Sequence, residues 1–155
     1  MRELKFRGWD KVTKRYYAVS GLEYGDDGRL CEIYLAGIRI DESDPCANVR
    51  MSSDVIIEQY TGLKDKNGKE IYEGYIVRLY EHNWWDGKIV KHHKKPRIEG
   101  NFVVFYNDDT AAFEMKNTQP YDNGIRGEEP FGLVSQEYEV IGNIHENPEL
   151  VKEDE

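Results

Sequence analysis

The chain is poor in the features that mark most specialised protein classes. It holds two cysteines, Cys31 and Cys46, enough for one disulfide and too few for a disulfide framework. No apolar run approaches the roughly 20 residues of a membrane-spanning helix. The opening residues, Met1 to Asp10 (MRELKFRGWD), lack the apolar core of a secretory signal. A cytoplasmic setting with both thiols free is therefore expected. No amphipathic helix longer than about 12 residues can be drawn, against a base rate near one-third helix. HExxH, HxxxH, CxxC and GxSxG patterns are all missing, as are GxGxxG and the P-loop. These absences leave no metalloprotease, zinc-ribbon, hydrolase-elbow or dinucleotide signature, and no cofactor is implied.

What is present is polar and β-forming. The 155 residues include 11 Tyr, 3 Trp and 5 Phe, too many aromatics for a disordered chain. The mean hydropathy is −0.78. The net charge is −9 and uneven: residues 1–71 carry 12 basic and 13 acidic side chains, residues 72–155 carry 9 and 17. Such a surface repels polyanions at long range. Two basic stretches stand against it. Arg2, Lys5, Arg7, Lys11, Lys14 and Arg15 lie near the start, and Lys88, Lys91, Lys94, Lys95 and Arg97 form a run without an acid.

Alternation of apolar and polar residues predicts short strands throughout. Leu4 and Phe6 alternate with Lys5 and Arg7, Asp10–Lys14 turns, and Arg15–Val19 returns as a hairpin partner. Gly25-Asp26-Asp27-Gly28 and Asn67-Gly68 are turn signals, because these residues reach positive φ at low cost. Further strands are expected at Leu30–Ile40 (one strand or a strand pair), Val55–Tyr60, Tyr75–Tyr80, Lys88–His92, Asn101–Tyr106, Thr110–Met115 and Tyr138–Ile144. Phe6, Ile33, Ile57, Ile76, Val77, Val104, Val140 and Ile141 are the expected core. Asp41–Asn48 and Lys116–Pro130 are expected loops, and Ser52-Ser53-Asp54 a turn. The predicted class is mainly β: an N-terminal β-rich unit over 1–60, a small SH3-like barrel over 61–147, and an acidic tail over 148–155 that forms at most a short helical turn. The three pieces can also make one compact domain.

Three ordered stretches carry a family resemblance. Arg2–Asp10 reads RELKFRGWD, Gln59–Val77 reads QYTGLKDKNGKEIYEGYIV, and Tyr138–Leu150 reads YEVIGNIHENPEL. Together they resemble the YopX family of phage and prophage proteins. The resemblance implies a mostly β protein encoded by a bacteriophage or an integrated prophage. It supplies no activity and no site residues, because the family is one of unknown function. One departure falls at Tyr75, where the family pattern has Asp after Glu-Gly.

Candidate chemistry is sparse. His82, His92, His93 and His145 lack ligand spacing. Neither Cys31 nor Cys46 sits in a known catalytic context. Gly62, Gly68 and Gly74 suit turns better than phosphate binding. Asp108, Asp109 and Glu114 could supply carboxylates to a metal, which would make a small metal-dependent hydrolase or nuclease, although a solvated turn fits their spacing better. The richest segment is Trp84-Trp85 followed by Lys88, Lys91, Lys94, Lys95 and Arg97, expected as an exposed loop or hairpin. Aromatics stack on unpaired bases while cations neutralise phosphates. The leading expectation is a non-enzymatic binding module whose partner is a host protein or another copy of the chain. Single-stranded nucleic acid through the Trp84–Arg97 segment is the alternative, disfavoured by net charge.

Overall fold

The computed structural model describes residues 3–37, 48–85, 88–89, 97–117, 131–132 and 138–151. The protein is mainly β, with antiparallel sheets. Helix among the described residues is confined to two 3-10 turns, Ser52–Asp54 and Pro148–Leu150. The chain divides into two compact units, Met1–Tyr60 and Thr61–Glu155.

The first unit is built from β1 (Phe6–Asp10), β2 (Arg15–Tyr24), β3 (Leu30–Ala36), β4 (Val49–Met51) and the first half of β5 (Val55–Lys64), in the order β4-β3-β2-β1-β5. β1 is thus flanked on both sides: Gly8 sits opposite Tyr17 on β2 and Ile57 on β5. Ile33, Leu35 and Val55 are fully or almost fully buried, with Tyr17, Val19, Leu22, Leu30 and Ile57 packed around them. Gly8 lets this core close. A Cβ there would stand 2.8 Å from Val55 Cγ1 and 3.0 Å from Leu35 Cδ2. β3 covers Leu30–Ala36 of the expected Leu30–Ile40 and is followed by Gly37 at φ +83°; residues 38–40 lie outside the described residues. Cys31 is a free thiol whose Sγ donates to the Glu23 carbonyl at 3.2 Å; Cys46 lies outside the described residues.

The second unit continues β5 into β6 (Glu70–Tyr72), β7 (Tyr75–Trp85), β8 (Lys88–Ile89), β9 (Arg97–Asn107), β10 (Ala112–Asn117), β11 (Phe131–Gly132) and β12 (Tyr138–Asn143). Its main sheet has the order β11-β10-β9-β7-β12, with β8 on the far end of β7. This order is compatible with the SH3-like barrel expected from sequence; the pairings themselves are those of an antiparallel sheet. β7 is central and buried on both faces at its start, with Ile76 and Val77 both at 0% exposure. Ile71, Val77, Phe102, Val104, Met115 and Tyr138 make the core. Of the expected core residues, Ile33, Ile76, Val77 and Val104 are fully buried. Phe6, Ile57, Val140 and Ile141 are half-buried instead.

The β5–β6 turn is tied to β12 by one carboxylate. Gly68 takes φ +83° and its N–H donates to the Asp65 carbonyl at 3.0 Å. Asp65 Oδ1 accepts from the N–H groups of Asn67 and Lys69, both at 2.8 Å, and Oδ2 accepts from Val140 N–H at 3.1 Å. Burial alone would raise the Asp65 pKa, but these bonds and the Lys69 charge outweigh it and hold the carboxyl below its ordinary value of 3.8.

Two outcomes follow from this packing. Gly8→Ala should destabilise the protein by about 1–3 kcal/mol in urea unfolding, since a methyl overpacks the core. For Asp65, a folded pKa below the unfolded one means its stabilisation is full above the ordinary carboxylate value. It is lost as pH falls through the folded value. Asp65→Asn should therefore lower stability at neutral pH and flatten the stability–pH curve below about pH 4, relative to wild type.

Candidate functional site

Among the described residues β12 pairs with β7 from Tyr75 to Leu79, and β9 pairs with it as far as Asn83, with His82 opposite Ile98 and Asn83 opposite Arg97. The register shifts between Leu79 and His82, a bulge of the kind that bends and re-aims a strand. Beyond it, Trp84 pairs with Ile89 and Trp85 with Lys88. The backbone thus gathers Trp84, Trp85, Lys88 and Arg97 onto three neighbouring strands. Trp84 and Trp85 lie within β7, longer than the Tyr75–Tyr80 strand expected. Lys91, Lys94 and Lys95 lie outside the described residues.

The carboxylates considered for metal binding are engaged locally. Glu114 accepts from Asn107 Nδ2 and Thr110 Oγ1, both at 2.7 Å, and these two bonds lower its pKa against a smaller effect of burial. Asp108 and Asp109 are exposed on the turn. Among the described residues no group of three or more His, Cys, Asp or Glu is placed to hold a metal ion.

The structure also assembles a buried charged cluster in the first unit that periodicity did not reveal. Arg7 on β1 faces Glu58 on β5: Nε and Nη2 donate to Glu58 Oε2 at 2.8 and 2.6 Å, with both side chains buried. Tyr16 Oη donates to Glu58 Oε1 at 3.2 Å, and the Arg7 guanidinium lies 4.1 Å from the Tyr16 ring centroid. Trp9, 6% exposed, packs against the same ring at 5.0 Å. Asp10, fully buried, accepts from Arg50 Nε at 3.1 Å, Thr13 Oγ1 at 3.0 Å and Val12 N–H at 2.8 Å. Burial pushes the Asp10 pKa up, yet these partners together bring it below 3.8. Each carboxylate is occupied by fixed donors, a geometry for holding strands and not for exchanging protons with a substrate.

A third knot closes β12. Asn143 is buried; its Oδ1 accepts from His145 and Glu146 N–H, and its Nδ2 donates to Glu146 Oε2 at 2.6 Å. A Cβ on Gly142 would meet Asn147 Oδ1 at 2.6 Å, so only glycine admits that side chain.

The family model described as YopX protein matches residues 5–152. The chain belongs to the YopX family. A crystal structure of protein EF1440 from Enterococcus faecalis is similar to it at 27% identity, with 98% of this chain and 100% of that chain covered and a TM-score of 0.56. No curated protein matches the chain. The three YopX signature stretches fall on the knots just described: β1 with Arg7, Trp9 and Asp10, the Asp65–Gly74 region, and β12 with Gly142 and Asn143. At Gly74, φ is +73°, its N–H donates to the Val104 carbonyl, and its carbonyl accepts from Ile144 N–H, both at 2.9 Å. The departure at Tyr75 has a packing role. Its ring meets Tyr72 edge-on at 6.0 Å, lies 5.0 Å from Lys69 Nζ and rests on the core of the second unit.

The buried pair gives a direct test. Arg7→Met alone strands Glu58 and should cost about 3–5 kcal/mol, whereas Arg7→Met with Glu58→Leu should recover most of the loss. A double-mutant cycle by urea unfolding measures the coupling.

Proposed function

We propose that this YopX-family protein is a non-enzymatic binding module that engages a protein partner, a host factor or a second copy, through the β7–β8–β9 arm. The observation that carries this reading is the strand pairing that gathers Trp84, Trp85, Lys88 and Arg97 on β7, β8 and β9. Two aromatics followed by cations supply the residue types enriched at interface hot spots. The engagement of Asp10, Glu58, Asp65 and Glu114 within the fold supports binding over catalysis. The family resemblance suggests a setting in the cytoplasm of a bacterium that carries the gene on a phage or prophage.

Single-stranded nucleic acid is the second reading, favoured by the adjacent tryptophans and the basic run through Arg97. Fluorescence anisotropy with a labelled oligonucleotide at low salt separates the two. The protein-partner reading expects no saturable binding there. Saturable binding that Trp85→Ala reduces about tenfold or more would replace it with base stacking. In affinity capture from host lysate, Lys94→Glu with Lys95→Glu should release a partner that the wild-type chain retains.

A further inference from the structure

We propose a second docking surface, at the tip of the β1–β2 hairpin, that takes an acidic segment of a partner protein. It belongs to the first unit and does not rest on the reading of the arm. Lys11, Val12, Thr13, Lys14 and Arg15 are all exposed, and Val12 keeps 67% of its surface in solvent. No acidic residue occurs between Asp10 and Glu23. The charge of Asp10 is buried and met by Arg50, so it does not neutralise the tip. Lys11 Nζ donates to the Ser53 carbonyl at 2.8 Å, beside Asp54, the acid nearest in the bonded network. Among the described residues Lys14 and Arg15 have no side-chain partner.

The tip is also pre-organised. Val12 N–H and Thr13 Oγ1 donate to the Asp10 carboxylate, and Lys14 N–H donates to the Asp10 carbonyl at 2.8 Å. These bonds hold Lys14 at φ +56°. Gly28, Gly68 and Gly74 occupy that backbone region elsewhere in this chain, and Ala111 takes φ +51°. At the tip a lysine stands where glycine would relieve strain. A fixed aliphatic apex between cations suits a short acidic segment carrying an apolar side chain, bound with little ordering cost. Nucleic acid fits less well. Of the nearby aromatics, Trp9 is buried against Tyr16 with the rings tilted by 57°, and Tyr16 is covered by Arg7, so neither ring is presented for a base.

The test uses the full chain and a short labelled peptide of alternating glutamate and leucine, read by fluorescence anisotropy at low and high salt. We expect saturable, salt-sensitive binding that Lys14→Glu with Arg15→Glu weakens by about tenfold or more. Val12→Ser should weaken it several-fold. Lys14→Gly should raise the melting temperature while lowering affinity, separating the role of the side chain from that of the turn. Lys94→Glu with Lys95→Glu should leave this binding unchanged, so failure of the arm and failure of the tip are told apart. Unchanged affinity in the tip variants would overturn the proposal. So would tighter binding to an oligothymidylate of matched charge, or self-association in sedimentation that the tip substitutions abolish.

Discussion

The strand Phe6–Asp10 is buried from Arg7 onward, and the first unit depends on how that burial is satisfied. One face carries Gly8 and Asp10, the other Arg7 and Trp9. A guanidinium placed there has a large desolvation cost unless a carboxylate meets it with good geometry. Glu58, directly opposite on β5, does so, and Tyr16 occupies its second oxygen. The same contact fixes register. A shift of β5 by one residue would turn Glu58 to the opposite face and leave two buried charges unpaired. Thus an interaction of modest net stability selects one pairing among several that the apolar pattern would tolerate.

A second device recurs at five turns of the chain. Asp10, Asp27, Asp65, Asn107 and Asn143 each accept, through a side-chain oxygen, the N–H two residues ahead. These are Asx turns, which supply locally the hydrogen bond that a turning backbone cannot find in a ladder. Three of them reach further: Asp10 to Arg50, Asp65 to Val140, and Asn143 through its own N–H to Asn147. With no long helix among the described residues and an apolar fraction of 39%, the chain ties its strand ends with Asp and Asn. This accounts for much of the polar composition without any catalytic role. The YopX-like stretches fall at these turns and at β1.

The strands with regular alternation were legible in the sequence, as was the turn at Gly68. Asn101–Tyr106 and Val55–Tyr60 were found because apolar, β-branched runs have few alternatives in water. The far half of β7 was not legible, because Glu81-His82-Asn83 is polar and owes its strand geometry to β9. β4 and β11 escaped for a different reason: pairings of three and two residues carry no periodicity to detect. The Arg7–Glu58 pair joins residues 51 positions apart, so no local window contains it. Phe6 and Ile57 were expected deeper than they lie, since period-2 patterning gives the face of a strand but not how much covers it. For the candidate site, the tryptophans and flanking cations were legible as types; their gathering onto three strands required the register.

Function must then be sought in the polar groups the fold does not use. Arg7, Asp10, Glu58, Asp65, Glu114 and Asn143 are engaged within the fold. The cations at the β1–β2 tip are exposed, and those from Lys88 to Arg97 follow a tryptophan pair. Both groups belong to a chain of net charge −9. At physiological salt, charges separated by more than about 8 Å are largely screened. A negatively charged protein gains no long-range steering toward an anionic partner, and residual repulsion slows the encounter. Attraction can operate only once the partner reaches the hairpin. Recognition of that kind gains its specificity from contact geometry and dissociation rate more than from fast association. A rigid turn suits it, because the backbone that carries the cations loses little freedom when the contact forms.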